Sequence, residues 1–219
     1  MTGVQTCALP ISQIYILGDL FNFWAGKAQA NLSSINFLLS YLKKSSYRED
    51  IFFIPGNRDF LFAPYWKHAK GNVLPDGAII NIKSNNVILC HGDLLSTYDS
   101  GYQKTKFLLQ NKIIYGLSSL LPSSLCLQIG KHLRKLSQKS LKQKSQEKIS
   151  PNISLACAMM EKYLSNIMIC GHIHCAKIIN LSIMDKKFTI YFLPESSNNT
   201  FQYLCWENGQ FNFCKYLVE

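Results

Sequence analysis

The chain has 219 residues, 47% of them hydrophobic, which suits one core with an inserted subdomain rather than a string of domains. Lys and Arg outnumber Asp and Glu by 23 to 13, and the net charge of +10 points to an anionic partner: a phosphorylated substrate, an acidic membrane or a nucleic acid. No run reaches the roughly 18 apolar residues of a membrane-spanning helix, and the eight cysteines follow no disulfide spacing, which excludes a small disulfide scaffold and fits reduced thiols.

Ile14–Leu17 reads as a short buried strand, Leu32–Leu42 as a helix by its apolar spacing, ended by Lys43-Lys44-Ser45-Ser46, and Ile51–Ile54 as a second buried strand. Strand, helix, strand predicts a parallel βαβ unit whose ligand loops lie at the carboxyl ends of the strands. Ile79–Ile82 and Val87–Cys90 predict a hairpin across Ser84-Asn85-Asn86. Residues 101–150 change character and read as helical, Ser- and Lys-rich. Lys131, Arg134, Lys135, Lys139, Lys142, Lys144 and Lys148 stand there against one acid, Glu147. Within this stretch Ile113 to Ile129 is interrupted by Pro122 and serines, and reads as interfacial and amphipathic. Ile167–Cys170 is a further strand. Lys177–Leu181 with Lys187–Leu193, and Phe201–Trp206 with Phe211–Tyr216, predict hairpins across Ile183-Met184-Asp185-Lys186 and Glu207-Asn208-Gly209-Gln210.

Four short blocks follow four of these strands: Gly18-Asp19, Gly56-Asn57-Arg58-Asp59, His91-Gly92-Asp93 and Gly171-His172-Ile173-His174. Each block has a plain structural reading. Asp19 can cap a turn, Asn57 can serve a turn beside Gly56, and a single His91 is more often a core residue than a ligand. Their succession at strand ends is more specific, because Asp, Asn and His are hard or borderline ligands that four neighbouring loops can bring to one cation. Cys170-Gly-His-Ile-His-Cys175 superficially suggests zinc, but without a second cysteine pair the two histidines are the better ligands and the cysteines structural.

These blocks, in this order, resemble the signature of the calcineurin-like metallophosphoesterases. Leu17-Gly18-Asp19-Leu20-Phe21 with Trp24, Gly56-Asn57-Arg58-Asp59-Phe60-Leu61, and His91-Gly92-Asp93 followed by Asp99-Ser100-Gly101-Tyr102-Gln103 narrow the likeness to the diphosphatases of UDP-2,3-diacylglucosamine in bacterial lipid A synthesis. Arg58 stands where the wider superfamily usually has His. The resemblance implies an α/β fold: a metallophosphoesterase β-sandwich flanked by helices, its core formed by 13–100 and 151–219, with 101–150 inserted as a helical lipid-binding cap. It implies two Mn²⁺ ions, with Asp19 bridging, Asn57, His91 and His172 completing one site, and His174 belonging to the other. Asp19, Asn57 and His91 are the implied catalytic set. Arg58, Asp99, Tyr102, Ser137 and Lys144 are the implied substrate contacts, and Phe107, Leu108, Leu117, Leu120 and Leu121 could line an acyl chamber. The implied reaction is pyrophosphate hydrolysis to UMP and 2,3-diacylglucosamine 1-phosphate, by a peripheral protein on the cytoplasmic face of the inner membrane, with no nucleic-acid partner.

The chain departs from that pattern in places. The family's opening Asp-x-His block is missing, so the second metal site is expected to be incomplete. Residues 1–12 resemble a translated sequencing-adapter read and lack the basic start of a signal peptide, so a truncated, inactive chain with a foreign leader is expected. Cys175-Ala176, Lys27 and Leu193-Pro194-Glu195-Ser196 also differ from the usual family residues. Arg58 has a plain reading too, as a surface ion pair with Asp59; Asp99 or Ser100 could cap a helix, and Ser137 and Lys144 could lie on a solvated helix face. Two rival functions remain open: a metallophosphoesterase for a soluble nucleotide or phosphodiester, and a non-catalytic basic binder of lipid or nucleic acid.

Overall fold

A computed structural model describes residues 13–44, 50–97, 112–143, 150–196 and 199–217, with backbone alone at 43–44, 112–114 and 136–143. Strands β1 (Ile14–Ile16), β2 (Ile51–Phe53) and β3 (Asn72–Val73) form a parallel sheet in that order. Strands β4 (Ala78–Ile82), β5 (Asn85–Cys90), β6 (Ser165–Cys170), β7 (Lys177–Ile183) and β8 (Lys186–Phe192) form a mixed sheet in the order β4-β5-β6-β8-β7, with β5, β6 and β8 parallel at its centre. Strands β9 (Thr200–Glu207) and β10 (Gln210–Leu217) pair as an antiparallel hairpin.

The alternation of side chains assigns these strands to layers. Along β5, Val87 and Leu89 face one core while Ile88 and Cys90 face another; along β6, Ile167 and Ile169 oppose Met168 and Cys170 in the same way. The first core also takes Tyr15 and Leu17, Ile54, and Leu204 and Phe211 of the β9–β10 hairpin, so it lies between the sheets. The second is closed by helix α5 (Ile153–Lys162), which buries Ala156, Cys157 and Met160 against β5, β6 and β8. A third core lies outside the first sheet, where helix α1 (Ser33–Lys44) sets Ile35, Leu38, Leu39 and Leu42 on one face, at helical spacing, against Phe53, Trp24 and helix α2 (Phe62–His68). Helix, sheet, sheet, helix is the sandwich the sequence predicts.

Helices α3 (Lys112–Ser118) and α4 (Ser123–Gln143) replace the single interfacial stretch expected over Ile113–Ile129; the chain breaks at Ser119–Pro122, where proline cannot continue a helix. No helix among the described residues is long and apolar enough to cross a membrane. Both helices pack on the loop after β1: a Cβ on Gly26 would collide with the Ser118 carbonyl, and one on Gly130 would lie 3.1 Å from Phe23.

Three turns are tighter than the sequence predicts. The chain reverses over Lys83-Ser84, Met184-Asp185 and Asn208-Gly209, each pair at positive φ, which is the type I′ pattern that matches strand twist. Asn85 and Asn86 therefore belong to β5 rather than to the turn, and Ile183 and Lys186 end their strands. Helices α2 and α5 and strand β3 were not anticipated, although Asn152 caps α5 by accepting from the Leu155 amide at 3.0 Å.

Candidate metal centre

The loops after β1, β2, β5 and β6 meet at the carboxyl edge of the two parallel strand sets. Their closeness explains the glycines. A Cβ on Gly56 would lie 2.5 Å from the Asp19 nitrogen, and one on Gly18 would lie 2.5 Å from Gly56 Cα. Gly92 has φ +111 and faces the Gly171 carbonyl and His172. Asp19, His172 and His174 themselves take left-handed backbone conformations, with φ 55, 67 and 59, which side chains other than glycine adopt at a cost of about 1–3 kcal/mol and which cluster at functional sites.

His91 is buried, and its Nδ1 lies 2.7 Å from the Leu17 carbonyl oxygen. A nitrogen there must carry its hydrogen, so Nε2 is the atom turned inward. It lies 3.0 Å from the Asn57 amide and 3.7 Å from Asp19 Oδ1. With the Asn57 oxygen facing in, an amide oxygen, a carboxylate and an imidazole lone pair confront one another, which a cation among them would satisfy. With the amide reversed, its nitrogen donates to His91 Nε2 at 3.0 Å and to Asp19 Oδ2 at 3.2 Å. The mixed N/O set fits a divalent first-row ion. No group of three or more His, Cys, Asp or Glu side chains among the described residues gathers as a metal cluster; the set that does gather includes an amide.

His172 packs edge-on against His91 with ring centroids 5.1 Å apart. Burial, then the neighbouring His91, pushes its pKa down to about 4, so it is a neutral imidazole at neutral pH, the form that binds metals. His174 is lowered by burial and by Arg58.

Arg58 is not the surface partner of Asp59. Its Nε lies 3.3 Å from Asp19 Oδ2, and its Nη2 lies 3.2 Å from His174 Nε2. Asp59 is fully buried, because its carboxylate accepts main-chain N–H groups from two loops. Sequence reasoning missed that role, and also that of Asp76, whose Oδ1 accepts the His91 amide at 2.8 Å. Pro75-Asp76-Gly77 reads only as a turn. Cys90 and Cys170 pair across β5 and β6 with their sulfurs 3.1 Å apart, inside the core under α5 and away from these ligands, while Cys175 is exposed. Asp99, Tyr102 and Lys144, with Phe107 and Leu108, lie outside the described residues; Ser137 falls on the described backbone of α4, its side chain outside.

No protein-family model matches the chain. Curated relatives do. A protein of Histophilus somni named UDP-2,3-diacylglucosamine hydrolase is 34% identical over 78% of this chain and 74% of its own. The chain belongs to the UDP-2,3-diacylglucosamine hydrolase family. Members from Proteus mirabilis and Haemophilus influenzae, named alike, are 31% and 29% identical, covering 84% and 97% of this chain and 77% and 89% of their own. A solved archaeal phosphodiesterase overlays at a TM-score of 0.39 with 10% identity, over 83% of this chain and 76% of that one, too loose a likeness to weigh. Membership places the chain among hydrolases.

Proposed function

We propose that the activity for which this chain carries residues is hydrolysis of the pyrophosphate of UDP-2,3-diacylglucosamine, yielding UMP and 2,3-diacylglucosamine 1-phosphate for lipid A synthesis; the described residues supply one metal site, and turnover requires the second to be completed. The observation that carries this reading is the meeting of Asp19, Asn57 and His91 at three loop ends, with His172 packed on His91 from the fourth and Arg58 beside them, in a member of this family. In this reading those four residues would hold one Mn²⁺, and Asp19 and His174 would supply only part of a second site. Bound cations supply an acidified water and offset charge on the phosphoryl oxygens.

The residues of the chain do the rest. Asp19 is held by the Arg58 main-chain amide, which donates to its Oδ1 at 3.1 Å. Arg58 uses two of its N–H groups on Asp19 and His174, and its remaining donors serve a diphosphate as a planar fork. Asp99, Tyr102, Ser137 and Lys144 are proposed substrate contacts. Residues 101–150 form the cap. Leu117, Leu120, Leu125 and Leu127 expose apolar surface next to the exposed Lys131, Arg134 and Lys135, a combination suited to acyl chains and an anionic membrane at the cytoplasmic face of the inner membrane.

The test is Mn²⁺-dependent binding and cleavage of UDP-2,3-diacylglucosamine, compared with UDP and with a small acyl-free phosphodiester. The reading predicts that the diacylated nucleotide binds at least about tenfold more tightly than UDP, since burial adds about 0.8 kcal/mol per CH₂, and that UMP is the product of any cleavage. Equal binding of UDP would overturn the lipid assignment in favour of a soluble substrate.

A further inference from the structure

Asp59 sits in the most specific block of the sequence, yet the reaction gives it no task. Its side chain is fully buried and, among the described residues, forms no ion pair; it is surrounded by main-chain donors instead. Oδ1 accepts the amides of Asp19 at 3.2 Å and Gly56 at 3.0 Å, and Oδ2 accepts those of Leu20 at 2.6 Å and Phe21 at 3.4 Å. Three of these donors belong to the loop after β1 and one to the loop after β2. The lacing runs both ways, because the Asp19 carboxylate accepts the Arg58 amide and the Trp24 amide donates to the Arg58 carbonyl at 2.8 Å. Asp59 is anchored in turn, its carbonyl accepting the Phe62 amide at 2.8 Å at the start of α2.

We propose that Asp59 is a positioning residue: it fixes the backbone of both loops so that Asp19, at φ 55, and Asn57 present their side chains to the same point. Only a two-oxygen acceptor fits this role. An ionised carboxylate offers about four lone-pair sites and no donor, whereas an amide of the same shape turns an N–H₂ toward at least one of these N–H groups. The proposal rests on the metal-site reading above, and residues that orient metal ligands typically change affinity by roughly 10–100-fold when replaced.

The experiment is a calorimetric Mn²⁺ titration of the whole chain, of Asp59→Asn and of Leu39→Ala. Leu39 is buried in the core outside the first sheet, and its side chain has no polar atom with which to bond the site. Asp59→Asn is expected to weaken Mn²⁺ at least about tenfold, whereas Leu39→Ala lowers the melting temperature and leaves affinity unchanged. A folded Asp59→Asn that binds Mn²⁺ as well as the parent would overturn the proposal. Should that variant not fold, amide hydrogen exchange in the unsubstituted protein decides. Leu20 and Gly56 amides exchanging at least about 100-fold more slowly than open loop amides support Asp59's hold, and exchange at open-loop rates refutes it. Absence of Mn²⁺ binding by the unsubstituted chain would instead overturn the metal reading beneath it, whatever the exchange rates.

Discussion

His91 shows how one side chain is committed to a task by its neighbours. The Leu17 carbonyl takes its Nδ1 hydrogen, Asp76 holds its amide, and Nε2 is left facing Asn57 and Asp19. His91→Ala is therefore expected to weaken Mn²⁺ binding by at least about tenfold, measured by calorimetric titration; unchanged affinity would make His91 a core residue. Two buried groups also give opposite responses to pH. His172 is held neutral, its pKa near 4 against 6.5, so the folded state binds fewer protons than the unfolded one and stability falls as pH drops from 6.5 to 4. Asp59 is pushed up to about 6 from 3.8 by burial and by Asp19, so its effect on stability falls as pH rises through that window. Relative to the parent, the melting temperature of His172→Gln should thus rise as pH is lowered from 6.5 to 4, and that of Asp59→Asn should rise as pH is raised from 4 to 6. A pH-independent difference in either would contradict the assignment. At this scale the sequence shows which residue types stand at strand ends, but not their hydrogen-bond partners. Asp59 looked exposed because a charged residue usually is; only the folded loops supply the amides that let it be buried.

Elements were legible where the side-chain period was clear. Strands β1, β2, β5, β6 and the three hairpins follow from apolar runs, and α1 from its Ile35, Leu38, Leu39, Leu42 spacing. What failed were short elements whose formation depends on packing. Helix α2 has seven residues and contains Pro64, so its Phe62 and Trp66 are placed by the aromatic cluster with Trp24 rather than by propensity. Helix α5 carried a signal in Asn152 that its modest amphipathicity obscured. Asn152→Ala removes the cap on the Leu155 amide and is expected to cost about 1 kcal/mol, read by denaturant unfolding, with Mn²⁺ affinity unchanged because α5 lies on the far side of the second sheet. A loss of Mn²⁺ affinity would show that the ligand loops depend on that layer.

On the scale of the whole molecule, charge and shape act together. The net charge of +10 includes the exposed Lys131, Arg134 and Lys135 of α4, in the same helix pair as the exposed leucines of α3 and α4. Leu120, 79% exposed, sits in the break between those helices. Leu120→Asp is expected to weaken binding to anionic vesicles severalfold, through lost burial and added repulsion, without altering the melting temperature. Unchanged vesicle binding would leave these helices without a membrane role. The sandwich beneath them has one main task, which is to bring four strand ends to one place, and the account stands or falls on what is held there. Anomalous diffraction from crystals grown with Mn²⁺ asks this most directly. A peak is expected within coordination distance of Asp19, Asn57 Oδ1, His91 Nε2 and His172; strong peaks elsewhere with none among these four residues would contradict the metal assignment.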